Sequence, residues 1–329
     1  MLAYWQVRLA LLALSALTYV FTCTASAENK NDARNDASAL PTYRSTVSEV
    51  RVTFYATDEN NHALATLTKS DFAVVDNGLV VRNFRSFAHS DETSLDVVVL
   101  IDLSESVAAR SRVAMSAVLQ LVAQEQSIPD DNIAVLSFGG TTSALHPAIL
   151  CSSGCHAADS ASKLLAVKSG GTTPLFDALV FAADFIAQHR RAGARPVLIL
   201  FSDGDDTISL HSAREALQAV LDGGALIYSV DTGTSANQSS YRISGGTFLR
   251  QLSEATGGRY FSFSLRSSQQ DGAASVLTTV LEDLRASYVV AYALPQHQDG
   301  FHSLRLLPTH NLNLTFHSRN GYFYERTIR

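Results

Sequence analysis

Three short stretches of the chain carry oxygen-bearing side chains beside apolar runs. The first, residues 102–106 (Asp-Leu-Ser-Glu-Ser), follows the apolar run 96–101. The second is residues 170–174 (Gly-Gly-Thr-Thr-Pro), and the third, residues 201–206 (Phe-Ser-Asp-Gly-Asp-Asp), follows the apolar run 196–200. If the three stretches converge, they offer two carboxylates and three hydroxyls to one point. Oxygen ligands of this kind suit a small hard cation such as Mg²⁺, so the spacing predicts a metal site.

The three stretches resemble the metal-ion-dependent adhesion site of the von Willebrand factor type A domain. The pattern of that site is DxSxS, then a distant Thr, then a distant Asp. The resemblance implies Mg²⁺ or Mn²⁺ as the cation and the following ligands: Asp102, Ser104, Ser106, Thr173 and Asp203. Thr172 is the alternative to Thr173, which we prefer because it directly precedes Pro174.

The resemblance also implies a binding function and no catalysis. In the family, a carboxylate from a protein partner completes the coordination of the cation. An aspartyl phosphatase would need a second carboxylate two residues after Asp102, where this chain has Ser104. The chain has no GxSxG, HExxH or GK[ST] motif. Two alternatives remain, a structural envelope protein with a degenerate metal site and a metal-assisted hydrolase that uses the same cation.

Simpler roles are open to the same side chains. Ser104 or Ser106 could cap the helix that follows them. Asp205 and Asp206 have the composition of an ordinary turn, and we expect turn roles for both. Asp177 is expected to support the first turn of its own helix through the helix dipole.

The chain around these residues alternates between strand and helix patterns. Apolar runs typical of buried strands lie at 96–101, 133–138, 196–201, 225–230 and 259–263. Helical patterns lie between them, near 107–126, 157–168, 174–190, 209–222, 246–256 and 272–286. This alternation predicts an α/β fold with a doubly wound, mostly parallel sheet. Ligands of such sheets bind at the carboxyl ends of the strands, where the first and third stretches lie.

Strand patterns without helices flank this central region on both sides. They cover residues 47–55 and 72–81 before it, and 287–294, 301–307, 311–316 and 321–325 after it. We predict that the two flanks pair into one β-sandwich in which the central region is inserted; the alternative is that both decorate a single domain. The stretches LTKSDFAVVDNG (67–78) and RNGYFYE (319–325) resemble the ends of the bacterial VWFA-related acidobacterial domain family.

The predicted organisation is a signal peptide (1–27), a disordered lead-in (28–43), an N-terminal β segment (44–90), a metal-binding domain (91–286) and a C-terminal β segment (287–329). An uncleaved membrane anchor and a lipid attached to Cys23 are the alternatives to cleavage. Removal of the signal leaves 24 Lys and Arg against 31 Asp and Glu, without a basic cluster. We therefore expect a secreted or periplasmic protein with no membrane-spanning segment and no nucleic-acid partner.

Two cysteines remain after the signal, Cys151 and Cys155. In an oxidising compartment a small loop disulfide between them is the preferred interpretation. A metal-binding pair and a redox-active pair are the alternatives.

Overall fold

The alternating strand and helix patterns fold as an α/β domain between two antiparallel sheets in the computed structural model of the chain. It describes residues 49–90, 93–125, 132–139, 148–151, 163, 166, 168–233, 245–262 and 269–324. The strands are β1 (Glu49–Thr57), β2 (Phe72–Asp76), β3 (Leu79–Val81), β4 (Phe84–His89), β5 (Leu95–Asp102), β6 (Asn132–Phe138), β7 (Ala148–Cys151), β8 (Arg195–Ser202), β9 (Leu226–Asp231), β10 (Tyr260–Ser262), β11 (Tyr288–Ala293), β12 (Gly300–Pro308), β13 (Thr315–Ser318) and β14 (Gly321–Tyr324). The helices are α1 (Ala108–Glu125), α2 (Leu175–His189), α3 (Ala213–Gly223), α4 (Gly245–Thr256) and α5 (Gln269–Arg285).

The central sheet has six strands in the order β10-β9-β8-β5-β6-β7. Five of these strands are parallel, and β7 pairs antiparallel with β6 at one edge. From β5 the chain moves to one side through β6 and β7, and then returns to the other side with β8. The strand order therefore reverses between β5 and β8, which is where α/β sheets bind ligands.

Strand β5 lies at the centre of this sheet and is buried on both faces. Its side chains alternate between two hydrophobic cores, as the pleat of a strand requires. Val97, Val99 and Ile101 pack in the core that also contains residues of α1 and α5. Val98 and Leu100 pack in the opposite core, together with residues of α2, α3 and α4. Because helices cover both faces, an uninterrupted apolar run is the pattern that this strand needs.

The two flanks of the chain form a β-sandwich, as predicted. One sheet has the order β13-β1-β11-β4 and the other has the order β14-β12-β2-β3, so each sheet combines strands from both ends of the chain. Their shared core includes Phe54 of β1, Phe72 of β2, Val290 of β11 and Leu304 of β12. The rings of Phe54 and Phe72 lie 4.9 Å apart between their centroids.

The buried carboxylate of Asp76 accepts hydrogen bonds inside this sandwich. Asp76 is fully buried. Its Oδ2 accepts hydrogen bonds from the hydroxyls of Tyr292 at 2.8 Å and Tyr322 at 2.6 Å, and its Oδ1 lies 3.4 Å from Nδ1 of His302. Burial and the nearby Asp76 raise the pKa of both tyrosines, so both hydroxyls stay protonated and donate. The network joins β2, β11, β12 and β14.

The chain enters and leaves the central domain at adjacent positions. Strands β4 and β11 pair antiparallel, and beyond their ends the backbone N–H of Ser90 donates to the carbonyl of Ser287 at 2.8 Å. The buried guanidinium of Arg195, at the start of β8, donates to the carbonyls of Ser90 and Leu284 and to the hydroxyl of Ser287. Arg195, a residue of the central sheet, therefore holds together the two chain segments that connect the central domain to the sandwich.

Several predicted boundaries differ from the observed ones. The predicted helix at 209–222 begins at Ala213, because Ser212 and Glu215 form a capping box there. The predicted strand at 311–316 begins only at Thr315, because residues 311–314 form a turn in which the N–H of Leu314 donates to the carbonyl of Asn311. Strands β4 and β7 were not predicted as separate strands.

Some predictions fall outside the described residues. These are the signal peptide, the lead-in, most of the helix predicted at 157–168, and the predicted disulfide, since Cys155 is not described. Across the described ranges, no helix is both long enough and apolar enough to cross a bilayer.

Candidate metal site

Asp102 is the last residue of β5, and its side chain is held at the point where the strand order reverses. The residue is 1% exposed. Its Oδ1 accepts a hydrogen bond from the backbone N–H of Ser104 at 2.9 Å, and its Oδ2 accepts one from the hydroxyl of Ser202 at 2.7 Å. Since Ser202 ends the neighbouring strand β8, the carboxylate is fixed from both central strands.

The surroundings of Asp102 disfavour its negative charge. Burial is the main cause, and the carboxylate of Asp203 adds to it. Together they raise the pKa of Asp102 to about 6, although hydrogen bonds from Ser104 and Ser202 act in the opposite direction. None of the described groups that shift this pKa is a basic side chain. A cation would supply the missing positive charge, so the residues fit a divalent metal.

Ser104 and Ser106 follow Asp102 on one short loop. Ser104 is buried and Ser106 is exposed, and their hydroxyl oxygens lie 3.2 Å apart. Ser104 occupies the N-cap position of a 3₁₀ turn at Glu105–Val107, but its side chain makes no capping hydrogen bond. The capping role considered for Ser104 is therefore wrong in this structure, and its hydroxyl lies beside that of Ser106, another proposed ligand.

The second stretch lies against the first through backbone hydrogen bonds. The N–H of Gly170 donates to the carbonyl of Leu103 at 2.7 Å, and the N–H of Glu105 donates to the carbonyl of Gly171 at 3.3 Å. Within this stretch Thr172 is exposed, whereas Thr173 is 4% exposed. The loop that carries the predicted threonine is thus bonded to the loop that carries the two serines.

Gly139 permits this close approach of the two loops. It follows β6 and has a φ of +75°, which glycine adopts without strain. A Cβ at this position would lie 3.0 Å from both the amide nitrogen of Ser104 and the carbonyl oxygen of Thr172. A larger residue at 139 would require the backbone at Ser104 and Thr172 to shift.

Asp203 directly follows β8 and is half-buried. Its Oδ1 accepts a hydrogen bond from the backbone N–H of Asp205 at 3.3 Å. The next residue, Gly204, has a φ of +79° and donates its N–H to the hydroxyl of Ser202, which in turn donates to Asp102. Ser202 therefore links the turn at Asp203 to the buried carboxylate of β5.

The residues after Asp203 form a segment, 205–211, which we call the rim segment. Thr207 bonds to Thr173 in both directions: its hydroxyl accepts from the N–H of Thr173 at 2.8 Å, and its own N–H donates to the carbonyl of Thr173 at 2.9 Å. Asp206 accepts from the N–H of Phe176, in the first turn of α2, and from the N–H and hydroxyl of Ser209. Asp206 therefore has the turn role that we expected for it, and the rim segment is bonded to the second stretch through Thr207.

Asp177 was expected to act through the dipole of α2, but its carboxylate also reaches the rim segment. It accepts hydrogen bonds from the backbone N–H groups of Leu210 and His211, and it pairs with the ring of His211 at 2.7 Å. Burial alone would raise the pKa of Asp177, but the hydrogen bonds from His211 and Leu210 outweigh it and hold that pKa below its usual value.

Three residues near the site were not singled out from the sequence. Ser202 holds Asp102 in place, and Thr207 holds Thr173. Asp231 is the last residue of β9, the strand next to β8 in the sheet. Oδ2 of Asp231 accepts from the hydroxyl of Tyr260 at 2.6 Å. Position in the chain was the available signal for Ser202, because it is the last strand residue before Asp203. Thr207 and Asp231 act through partners distant in sequence, which no local pattern reveals.

The site contains few carboxylates for a metal centre. Among the described residues, no group of three or more His, Cys, Asp or Glu side chains is placed to hold a metal ion. The proposed ligand set has only two carboxylates, and hydroxyls supply the other oxygens. A metal at this position would depend on serine and threonine ligands.

Comparison of the sequence with known families decides which family the central domain represents. The profile of the von Willebrand factor type A domain matches residues 96–271, more than half of the chain. The chain belongs to the von Willebrand factor type A domain family. Domains of this family are generally binding modules rather than enzymes, and the central domain is a protein-interaction module of this type.

Two solved structures, one of them a von Willebrand type A (VWA) domain, also resemble the chain. The VWA domain of SpRpn10 is 12% identical, with a TM-score of 0.41, and the match covers 58% of this chain and 97% of that one. An aerotolerance-related membrane protein from Bacteroides fragilis NCTC 9343, with multiple mutations to serines, is 11% identical, with a TM-score of 0.39; the match covers 58% of this chain and 98% of that one. No curated protein matches the chain significantly.

Proposed function

We propose that the chain is a secreted VWA binding module that uses a divalent cation to recognise an acidic group on a protein partner. The proposed ligands of Mg²⁺ or Mn²⁺ are Asp102, Ser104, Ser106, Thr173 and Asp203. The observation that supports this proposal best is the buried carboxylate of Asp102, which lies near a second carboxylate and has no basic group among the described residues that shift its pKa. A cation would provide the positive charge that these described groups do not supply to Asp102.

The hydrogen bonds between the loops support the choice of ligands. Asp102 contacts Ser104, and Ser104 contacts Ser106, so the DxSxS residues form one group. Thr173 is preferred to Thr172 because it is buried against the rim segment, whereas Thr172 is exposed. Preorganised ligands bind a metal more tightly because little conformational entropy is lost on binding.

The composition of the site suits recognition of a further carboxylate. Serine and threonine hydroxyls are neutral, so they leave more of the positive charge of the cation uncompensated than carboxylates would. An acidic side chain from a partner could then complete the coordination. Hydrolysis would in addition require a general base, and neither the motif nor the described contacts of Asp102 supply one.

Calorimetric titration of Mg²⁺ and Mn²⁺ into residues 28–329 tests this proposal. We expect one metal ion to bind per chain, and we expect Asp102→Ala to abolish that binding. Asp184→Ala is the matched control, because it removes one exposed carboxylate from α2 and should leave the metal affinity unchanged. If the wild-type chain binds no metal, or if Asp102→Ala binds as tightly as wild type, the metal site is refuted and the structural alternative is favoured.

Secretion is the part of the proposal that depends on residues 1–27. Comparing the N-terminal residue of the protein recovered from outside the cytoplasm with that of the cytoplasmic precursor tests it. A mature chain that begins near Glu28 would support cleavage after Ala27.

A further inference from the structure

The rim segment presents two large apolar side chains to solvent. Ile208 is 44% exposed and Leu210 is 84% exposed. Single exposed apolar residues are common on proteins and need no special explanation. These two differ because of how the backbone beneath them is held and because of where the segment lies.

Hydrogen bonds fix the backbone of the rim segment on both sides of these residues. Before Ile208, Thr207 bonds to Thr173 in both directions. At Leu210, the backbone N–H lies 3.1 Å from both carboxylate oxygens of Asp177, and the N–H of His211 donates to the same carboxylate at 2.9 Å. The outward position of Leu210 is therefore imposed by its own backbone contacts.

The rim segment borders the proposed metal site. It continues the third stretch, beginning two residues after Asp203, and it is bonded to Thr173 of the second stretch. Asp177, which holds Leu210, lies in the first turn of α2, just after the loop that carries Thr173. A partner that reached the metal site with a carboxylate would meet the apolar side chains of this segment beside it.

The charges around the site limit what the rest of the partner can be. The rim segment contains Asp205 and Asp206, follows Asp203, and lies on the same edge of the sheet as Asp231. Its residues include no Lys or Arg. A second acidic group on the partner would be repelled by these carboxylates, whereas an apolar group would be attracted to Ile208 and Leu210.

We infer that the rim segment is the second half of the binding site and recognises an apolar side chain next to the partner's carboxylate. The expected ligand is a peptide segment with one Asp or Glu flanked by residues such as Leu, Ile, Val or Phe, without a second acidic residue nearby. This inference rests on the proposed function, because the cation must attract the carboxylate. Burial of Leu210 on a preorganised segment would then add affinity at little entropic cost.

A library of short displayed peptides with a fixed central Asp and random flanks tests the inference. Selection on residues 28–329 with Mg²⁺, and again with EDTA, should yield Mg²⁺-dependent peptides enriched in apolar flanking residues. Leu210→Ser should weaken the binding of the best peptide by about tenfold or more. The same variant should bind Mg²⁺ as tightly as wild type and keep its melting temperature, because Leu210 is exposed.

Leu312→Ser is the matched control, because Leu312 is 75% exposed but lies in the turn between β12 and β13 of the sandwich. It should leave peptide binding unchanged. Mg²⁺-dependent peptides without apolar enrichment, or with the same affinity for Leu210→Ser and wild type, would overturn the inference and leave the metal-dependent recognition of acids standing. If no peptide binds in an Mg²⁺-dependent manner, both the inference and the proposed function are wrong.

Discussion

Replacement of Asp102 by asparagine is expected to stabilise the metal-free protein near pH 8. The folded protein raises the pKa of Asp102 from its ordinary value of 3.8 to about 6, mainly through burial. Above pH 6 the native state therefore contains an unfavourable buried charge, which the unfolded chain exposes to water. Each pH unit between the two pKa values is worth about 1.4 kcal/mol, so the charge costs the folded state about 3 kcal/mol. Asparagine avoids this cost.

The asparagine side chain can keep contact with both partners of the Asp102 carboxylate. Its carbonyl oxygen can accept from the N–H of Ser104, as Oδ1 of Asp102 does now. Its amide group can donate to the hydroxyl oxygen of Ser202, but the hydroxyl proton of Ser202, which now donates to Asp102, then loses that acceptor. The gain in the free energy of unfolding should therefore be smaller than the full cost of the charge by about 1 kcal/mol.

Urea unfolding in EDTA measures this gain, with the exposed Asp184→Asn as control. The direction of the pH dependence follows from the raised pKa: the destabilisation by Asp102 is complete above the folded pKa and disappears as the pH falls below the unfolded pKa. The advantage of Asp102→Asn should thus be smaller by about 1.4 kcal/mol near pH 5 than near pH 8. With saturating Mg²⁺ the wild type should become more stable than Asp102→Asn, because only the wild type gains binding energy. If Asp102→Asn is less stable than wild type in EDTA near pH 8, the reasoning about the buried charge is wrong.

Three further substitutions test other contacts. Thr207→Val removes the hydroxyl that accepts from the N–H of Thr173, so calorimetry should show about tenfold weaker Mg²⁺ binding; an unchanged affinity would mean that this bond does not position the site. Asp76→Ala leaves two tyrosine hydroxyls without their buried acceptor, and urea unfolding should show a loss of about 3 kcal/mol or more; a loss under about 1 kcal/mol would contradict the importance of the network. Ser212→Ala removes the cap of α3 and should cost about 1 kcal/mol in the same assay, and Ser212→Asp should restore most of it.

The central fold could be predicted because its strands are buried on both faces. The apolar runs at 96–101 and 196–201 correspond to β5 and β8, each of which extends one residue further at both ends. The short strands were harder to predict. β4 has only half-buried or exposed residues, and β7 has four residues that pair antiparallel at the edge of a parallel sheet. Neither strand needs a strong apolar pattern.

The candidate site could be predicted in part. The order of the three stretches and the strand ends indicated that Asp102 and Asp203 would lie at one edge of the sheet. The residues that hold them could not be identified, because Thr207 acts on Thr173 and Asp177 acts on Leu210 across more than 30 positions of the chain. Asp177 lies in the first turn of its helix, as the dipole role requires, and its contacts with Leu210 and His211 are tertiary ones that its position in the sequence does not reveal.

The division of the sandwich between the two ends of the chain has a consequence for biosynthesis. Strands β1 and β2 pair with β11 and β12, so they leave the ribosome roughly 230 residues before these partners. At about 5–20 residues per second this interval lasts about 11–46 s. During it, Phe54 and Phe72 have no completed core to enter, while the strands and helices of the central domain can already fold. We therefore expect the newly made chain to need protection by a chaperone at its N-terminal strands until Tyr288 and the residues after it have been synthesised.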